Sequence, residues 1–385
     1  MPYAFSPSDV AFLRSAEGER ALAECAALPL TDKTRIADVA ALRQRFGDRS
    51  AAVLETVLLR RKSESKLESG AEWLFTAEAL QQASASAVAR HRAARLANRT
   101  VHDVTCSIGA DLFELAKVAS CLGSDVDEVR LAMARHNCPD VPLARADALR
   151  PVSRETVIVA DPARRDSAGR RTWRARDFLP PLDELADTYA GRDLVVKCAP
   201  GFDFSIAPWA TEVELVSLDG QVRESCLWSG GLATASRRAT VLRDGTQWTI
   251  TDEEPDDIGA APPGEWIIDP DGAVVRAGLV KHYGARHGLW QLDERIAYLT
   301  GDRPPAGVRA FRVLDHGSYS EKTLRALLRR HEVGRLEILI RGLDLDPDAL
   351  RRRMKLRGTR EATVVLTRIG RAPVAFLCEA ARIPA

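Results

Sequence analysis

The sequence predicts an α/β fold in which a doubly wound parallel sheet follows a helical N-terminal region and precedes a small α+β unit. From residue 101 onward, short apolar segments alternate with helical segments, as in a parallel sheet covered on both faces. Residues 1–97 show helical periodicity without strand alternation. We therefore expect a helical region over 1–97, a central domain over 98–302 with an insertion after about 230, and a third domain over 303–385.

The N-terminal region predicts several helices, which we interpret as a cap that packs on the next domain. Ser6 or Ser8 can cap the first of them. The other predicted helices run from about 34 to 46, 51 to 61, 71 to 80 and 83 to 96.

The central domain begins with strand–helix alternation. The predicted strands are 101–106, a second strand that ends with 122–125, 141–146, 157–160 and 194–197. The predicted helices are 110–119 and 128–137, and a closing hairpin pairs 212–218 with 223–228. Beyond residue 230 we expect a hairpin of 236–242 with 247–251, a helix from about 269 to 283 and a helix over 292–299. The last domain predicts strands and helices at 308–314, 321–330, 336–341, 347–356, 362–368 and 372–378.

Composition and charge restrict the class of protein. The chain of 385 residues is 45% hydrophobic and 28% charged, and no apolar run approaches the ~20 residues that span a bilayer. The N-terminus lacks the pattern of a secretory signal, so we expect a cytoplasmic protein without membrane contact. Seven scattered cysteines without a Cys-x-x-Cys pair predict neither a disulfide framework nor a metal site.

The net charge of +1 conceals a basic C-terminal end. Residues 303–385 contain 18 Lys and Arg against 9 Asp and Glu, a net charge of +9. The densest basic cluster lies on and after the last predicted helix. It can be a solvated helix face or a contact for a phosphate backbone. Its members are Arg351, Arg352, Arg353, Lys355 and Arg357.

Four carboxylates stand at or near the ends of four successive predicted strands: Asp103, Asp125, Asp147 and Asp161. Ligands of doubly wound sheets bind outside the carboxyl ends of the strands. At these ends, Asp125 can hold a ribose, Asp147 can accept from an adenine amino group, and Asp161 faces the transferred group. Each aspartate can also be a helix cap or a plain surface acid. A nicotinamide cofactor is disfavoured because Gly-x-Gly-x-x-Gly is absent.

The first strand leads into a turn of small residues over 105–111, which suits the close approach of a nucleotide-like ligand. These segments resemble class I S-adenosylmethionine-dependent methyltransferases, and more narrowly the bacterial group with a C-terminal THUMP-like domain, which is related to trimethylguanosine synthase. The matching segments are 103–111, 123–127, 134–137, 145–147, 161–165, 276–278, 289–299 and the chain from 307. The resemblance covers roughly residues 80 to 385.

The resemblance implies a Rossmann-like methyltransferase sheet, S-adenosylmethionine as cofactor, and a structured RNA, tRNA or rRNA, as substrate. The cofactor-binding residues it implies are Asp103, Thr105, Cys106, Ser107, Gly109, Asp111, Asp125, Val126, Asp147 and Ala148. The catalytic residues we predict are Asp161, Pro162, Arg164, Arg165 and Lys197, and the THUMP-like resemblance favours RNA contact by the basic cluster.

One departure leaves the chemistry open. Methyltransferases of nucleobase amines carry a second proline and an aromatic residue after Asp-Pro, and this chain has Ala163 and Arg164 there. Arg164 can stack on a base in place of the aromatic residue. Alternatively, Cys198 can act as the nucleophile of a uracil-C5 methyltransferase, with Lys197 lowering its pKa, although we favour a buried structural cysteine. A catalytically idle RNA-binding protein and a small-molecule methyltransferase remain alternatives.

Overall fold

The structure is a computed structural model that describes residues 3–163 and 177–383. The chain divides into two compact units. Unit 1 comprises the chain up to Val213 together with Arg223–Thr234, and unit 2 comprises Glu214–Val222 together with the chain from Ala235. The helical N-terminal region therefore shares a unit with the parallel strands that follow it. The predicted domain limits at 97 and 302 do not coincide with this division.

The N-terminal region is helical, as predicted. Its α-helices are α1 (Pro7–Leu13), α2 (Ala16–Ala26), α3 (Arg35–Phe46), α4 (Ser50–Ser63), α5 (Ala77–Gln82) and α6 (Ser86–Arg95). Ser6 caps α1 in a reciprocal capping box with Asp9. The helix predicted over 71–80 is wrong before Ala77, because Thr76 is the N-cap of α5 and the apolar residues before it are buried in a non-helical segment.

That buried segment is held by Asn137. The Asn137 Oδ1 accepts from the Leu74 N–H at 2.9 Å, and its Nδ2 donates to the carbonyls of Leu74 and Ile108, both at 2.9 Å. Ile108 lies in the turn after the first strand and belongs to the same apolar core as the N-terminal helices. The helical region therefore packs, as a cap would, on the turn after the first strand and on the two helices that follow it, 110–115 and 128–137.

Unit 1 contains a parallel sheet with the strand order β3-β2-β1-β4-β5. Its elements are β1 (Thr100–Asp103), α7 (Ala110–Leu115), β2 (Ser120–Asp125), α8 (Glu128–Asn137), β3 (Leu143–Arg145), β4 (Val157–Ala160), α9 (Leu182–Thr188) and β5 (Leu194–Cys198). The chain next forms β6 (Glu212–Leu218) and β7 (Gln221–Trp228), the predicted hairpin, and β7 pairs with β5 in antiparallel direction. The strand order reverses between β1 and β4, so a ligand crevice is expected at their carboxyl ends.

Unit 2 contains the hairpin of β8 (Arg237–Arg243) with β9 (Thr246–Thr251) and a mixed sheet of order β11-β12-β10-β13-β16-β15-β14. The elements of unit 2 after this hairpin are β10 (Trp266–Ile268), α10 (Gly272–Ala277), α11 (Val280–His287), β11 (Trp290–Gln291), β12 (Leu299–Gly301), β13 (Arg309–Ser318), α12 (Glu321–Arg330), β14 (Val333–Ile340), α13 (Pro347–Met354), β15 (Arg360–Ile369) and β16 (Ala372–Arg382). Since β10 pairs with β13, the sheet extends across residue 303.

Two helix predictions in unit 2 are wrong. The single helix expected up to about residue 283 is interrupted, because Gly278 adopts a left-handed φ of 77° and ends α10. No helix forms over 292–299. Leu292 and Tyr298 are instead buried against the sheet, and the Asp293 carboxylate accepts from the N–H groups of Arg295 and Gly370, which fixes a turn. No helix in the described ranges is long and apolar enough to cross a membrane.

We expect the substitution Asn137→Ala to lower the free energy of unfolding of unit 1 by about 2–4 kcal/mol, because it leaves buried backbone groups of Leu74 and Ile108 without partners. Urea unfolding followed by tryptophan fluorescence measures this loss. The matched control is Gln81→Ala, which removes an exposed carboxamide and should change stability by no more than about 0.5 kcal/mol. Equal effects of both substitutions would contradict the anchoring role of Asn137.

Candidate active site

A cavity of about 540 Å³ lies in unit 1 at the carboxyl ends of the parallel strands. It occupies the crevice beside β1 and β4 where the strand order reverses. Helix α5 of the N-terminal region contributes Ala79 and Gln82 to its wall. The helical cap therefore completes the cavity.

Hydrogen bonds fix the turn after β1 against the neighbouring strand ends. The Asp161 N–H donates to Thr105 Oγ1 at 2.7 Å, which ties the end of β4 to the end of β1. The Ser107 N–H donates to Asp125 Oδ2 at 2.8 Å, which ties the same turn to the end of β2. Three successive strand ends of the sheet are thus joined through one turn.

Two predicted site residues, Gly109 and Pro162, do not line the cavity, and only Gly109 belongs to the turn after β1. Gly109 has a φ of 84°, and a Cβ at this position would lie 2.8 Å from Cys138 Sγ. Both the backbone conformation and the packing therefore require glycine. Pro162 is buried directly after Asp161. Cys106 lines the cavity, but its thiol lies in a buried apolar cluster with Cys138, which agrees with a space-filling role.

Asp125 and Asp147 present carboxylates at the ends of β2 and β3. Besides Ser107, the Asp127 N–H donates to Asp125 at 2.9 Å, and burial raises the pKa of Asp125. Asp147 is exposed, and its Oδ1 accepts from the Leu149 N–H at 2.9 Å. Both carboxylates are therefore oriented by backbone donors and keep lone pairs for a ligand.

Asp103 is only 4% exposed, and one of its carboxylate oxygens accepts from the Thr105 N–H at 3.1 Å. Burial, together with the neighbouring Asp111, Asp161 and Asp125, raises the pKa of Asp103 to about 8. The Asp103 carboxyl is consequently protonated at neutral pH in the free protein.

A buried ion cluster forms one wall of the cavity. The Arg92 guanidinium, with only 4% of its side chain exposed, pairs with both Asp111 and Glu224. The Lys197 ammonium pairs with Asp161 and lies 4.0 Å from Asp111. Although burial opposes it, these two aspartates raise the pKa of Lys197 above its usual value. Asp161, next to the predicted transfer site, is thereby connected through Lys197 and Asp111 to Arg92.

The structure brings most of the predicted cofactor residues to the cavity wall. Those that line it are Asp103, Thr105, Cys106, Ser107, Asp111, Asp125, Val126, Asp147 and Ala148. Of the predicted catalytic residues, Asp161 and Lys197 line the cavity, whereas Arg164 and Arg165 lie outside the described residues. Cys198 is buried and is not among the residues of the cavity wall, so its placement favours the structural role.

Sequence reasoning missed Arg92 and Glu224. An arginine in a helix is ordinarily exposed, and the sequence gives no sign that α6 turns this one inward. Glu224 carried a partial signal, because it stands close to the apolar run 226–228 of the predicted strand; it begins the buried part of β7, 224–228. A charge that is buried beside apolar residues needs a buried partner.

Unit 2 divides the predicted basic cluster into two groups. Arg351 pairs with Asp348 at 2.5 Å, and Arg353 pairs with Glu321 at 2.8 Å. Their charges are therefore largely compensated within the fold.

The second group is free of such pairs. Arg352, Lys355 and Arg357 are exposed and make no ion pair with any residue in the described ranges. They lie in one segment formed by the end of α13 and the loop after it. This loop is fixed by hydrogen bonds that the N–H groups of Thr359 and Arg360 donate to the Glu332 carbonyl. We call Arg352, Lys355 and Arg357 the basic triad.

The cavity defines a class of protein. Six carboxyl groups line it against three cationic side chains, which favours a nucleotide-like ligand that carries positive charge. The carboxyl groups are those of Asp103, Asp111, Asp125, Asp127, Asp147 and Asp161, and the cations are Arg92, Arg130 and Lys197.

Comparison with known proteins identifies this class. The chain is 54% identical over 361 residues to an uncharacterized S-adenosylmethionine-dependent methyltransferase of Mycobacterium tuberculosis, in both strain CDC 1551 and strain H37Rv. The matched region covers 89% of this chain and 100% of each relative. The chain therefore belongs to the family of S-adenosylmethionine-dependent methyltransferases. The family assignment confirms S-adenosylmethionine as the cofactor and methyl transfer as the reaction.

Further comparisons concern the fold and the domains. A crystal structure of a proposed methyltransferase from Porphyromonas gingivalis W83 superimposes with a TM-score of 0.75 at 19% identity, covering 98% of this chain and 100% of that chain, and so shares its fold. The family described as THUMP domain-like matches residues 308–380, which confirms the predicted THUMP-like part. Residues 6–63 match a domain of unknown function, DUF8688.

The raised pKa of Asp103 predicts a specific pH dependence of stability. The folded protein holds a proton that the unfolded chain releases near pH 4, so this group's contribution to stability falls as pH rises from about 4 to about 8. Asp103→Asn removes this titrating group. Between pH 6 and pH 8.5 the free energy of unfolding should therefore decrease in both proteins by different amounts, and the decrease in the variant should be smaller than that in the wild type by at least about 1 kcal/mol. Urea unfolding at the two pH values measures this. Asp147→Asn, at an exposed site of the same cavity, serves as control, and a wild-type pH dependence in Asp103→Asn would refute the assignment.

Proposed function

We propose that the protein transfers the methyl group of S-adenosylmethionine to a base of a structured RNA, tRNA or rRNA. One observation carries the RNA part of this proposal. The basic triad is exposed and unpaired on the part of the chain that matches the THUMP domain-like family. Three neighbouring exposed cations that form no ion pair in the described ranges suit contact with a phosphate backbone, which gives affinity independent of base sequence.

The cofactor would be held by the strand-end carboxylates. The cofactor carries a sulfonium and an ammonium group against one carboxylate, so its net positive charge suits a cavity lined mainly by aspartates. Asp125, oriented by two backbone N–H groups, would accept from the ribose hydroxyls. Asp147 would accept from the adenine amino group, and the exposed side chain of Val126 would cover one face of the adenine ring. Asp103 and Asp111 would lie toward the cationic methionine end.

The acceptor base would be placed by Asp161 and Lys197. The carboxylate and the ammonium of this pair stand side by side on the cavity wall, so together they can accept from and donate to the edge of a base. The bound cofactor supplies an already activated methyl group. The chain's own contribution is therefore to orient the acceptor atom and to exclude water, which accounts for most of the rate in such transfers.

The location we propose is the cytoplasm, where tRNA and rRNA are found. The seven cysteines, all in the described part of the chain, form no disulfide, which suits a reducing compartment. A catalytically idle RNA-binding protein is the alternative that the missing aromatic residue after Asp161 and Pro162 would favour. A small-molecule methyltransferase would leave the basic triad without a role.

The first test concerns the cofactor residues. We expect calorimetric titration with S-adenosylmethionine to show binding of about micromolar strength, ~8 kcal/mol, in the wild type. Asp125→Ala should abolish it, because the ribose loses its acceptor. Asp125→Asn should weaken it, because its single side-chain oxygen can accept from only one of the N–H groups of Ser107 and Asp127. The control Asp140→Ala removes an exposed carboxylate outside the cavity wall and should bind normally. Undiminished binding by both Asp125 variants would remove Asp125 from the site.

The second test concerns the RNA. Methyl transfer from labelled S-adenosylmethionine to total tRNA and rRNA, isolated from a strain that lacks this gene, should label one RNA fraction. Replacing the basic triad by alanine should raise KM for that RNA without changing kcat. It should also lower the slope of log affinity against log salt concentration by about 2 to 3, because three phosphate contacts are lost.

The matched control for the triad removes three other exposed cations of unit 2, Lys281, Arg295 and Arg303, with the same change in net charge. Equal effects of both triple variants would show a nonspecific charge effect and contradict the triad as the contact. No labelled RNA fraction with wild-type protein that binds the cofactor would leave the idle and small-molecule alternatives.

A further inference from the structure

The wall of the cavity beside Asp161 is apolar and partly exposed. It consists of Leu179, Pro180 and Pro181, which all line the cavity. The Leu179 side chain is 52% exposed although it borders a pocket lined by carboxylates and cations. We call these three residues the apolar wall.

The apolar wall is fixed next to Asp161 by backbone hydrogen bonds. The Ala163 N–H donates to the Leu179 carbonyl at 2.9 Å, and the Leu179 N–H donates to the Ala163 carbonyl at 3.0 Å. Ala163 follows Asp161 by two residues and also lines the cavity. The reciprocal pair therefore holds Leu179 in register with the chain segment that carries Asp161.

The two prolines further restrict the apolar wall, because their rings fix the backbone φ angles. Leu182, the residue after Pro181, is fully buried at the start of α9. The apolar wall is thus anchored at both ends, at Ala163 and at Leu182, and presents a preformed apolar surface.

We propose that Leu179, Pro180 and Pro181 form the surface on which one face of the acceptor base packs, while its edge meets Asp161 and Lys197. The proposal rests on the proposed function and names the residues that replace the missing aromatic stacking partner. A flat heterocycle buries apolar area against such a surface without a ring–ring contact. Leu179 is accordingly a specificity-determining residue for planar acceptors.

The geometry explains why both components are needed. The ion pair of Asp161 and Lys197 can form hydrogen bonds with groups at the edge of a ring, but it provides no apolar surface on which the face of the ring can pack. The apolar wall can cover a face but selects no edge. Their joint placement beside the cavity favours a nucleobase over a flexible aliphatic acceptor.

The test uses the full chain with leucine and valine methyl groups labelled with ¹³C, saturated with S-adenosylhomocysteine so that the adenine position is filled. Addition of AMP, GMP, CMP and UMP in turn should shift the Leu179 methyl signals upfield for at least one nucleotide, because the methyl groups lie over the ring. Ribose 5-phosphate, which has no ring, should leave them unshifted. Leu179→Ile identifies the signals.

Val152 provides the matched control, since its side chain is also 52% exposed but is not part of the cavity wall. Its methyl signals should not move. In the methylation assay, Leu179→Ser should raise KM for the labelled RNA at least tenfold with unchanged affinity for S-adenosylmethionine, and Val152→Ser should not.

Equal shifts with ribose 5-phosphate, or no shift with any of the four nucleotides, would overturn the proposal. So would a Leu179→Ser variant with unchanged KM. These failures are distinct from failure of the proposed function, which would appear as wild-type protein that binds the cofactor and labels no RNA.

Discussion

The Arg92 guanidinium is the interaction on which the arrangement of the active site depends. It is buried between Asp111 at the start of α7 and Glu224 on β7, and it forms an ion pair with each of them. Removing it would leave buried carboxylates unpaired, a loss of about 3–5 kcal/mol in comparable cases. Asp111 also faces Lys197, and Lys197 pairs with Asp161. The orientation of Lys197 and Asp161, the residues proposed to place the acceptor base, therefore depends on Arg92, which lies on a helix of the N-terminal region.

The negative character of the cavity follows from the same arrangement. A doubly wound sheet brings its strand ends to one edge, so carboxylates that are far apart in sequence repel one another there. The free protein reduces this repulsion in two ways, by pairing Asp111 and Asp161 with buried cations and by keeping Asp103 protonated. A positively charged ligand would supply the remaining compensation, which is consistent with the cofactor of the family.

Much of this architecture could be predicted from the sequence because apolar alternation and caps are local signals. The strand β4 and the helix α8 have the predicted bounds, and the strand-end aspartates lie together as expected. The failures have tertiary causes. Residues 71–76 look helical but are held by Asn137, which is distant in sequence, and the inward direction of Arg92 depends on partners that only the folded sheet provides.

Unit 2 shows why net charge alone is a poor guide to a binding surface. The last 83 residues carry +9, yet many of their arginines are neutralised by ion pairs, such as Arg309 with Glu337 and Arg335 with Glu361. Exposed pairs of this kind contribute little to stability, but they remove cations from competition for phosphate. The basic triad instead groups, in one short segment at the end of α13 and in the loop after it, three exposed cations that form no ion pair in the described part of the chain. Such a surface gives affinity for a polyanion without selecting a base. The base must therefore be selected in the cavity, where the ion pair of Asp161 and Lys197 can hydrogen-bond to its edge and the apolar wall can pack on its face.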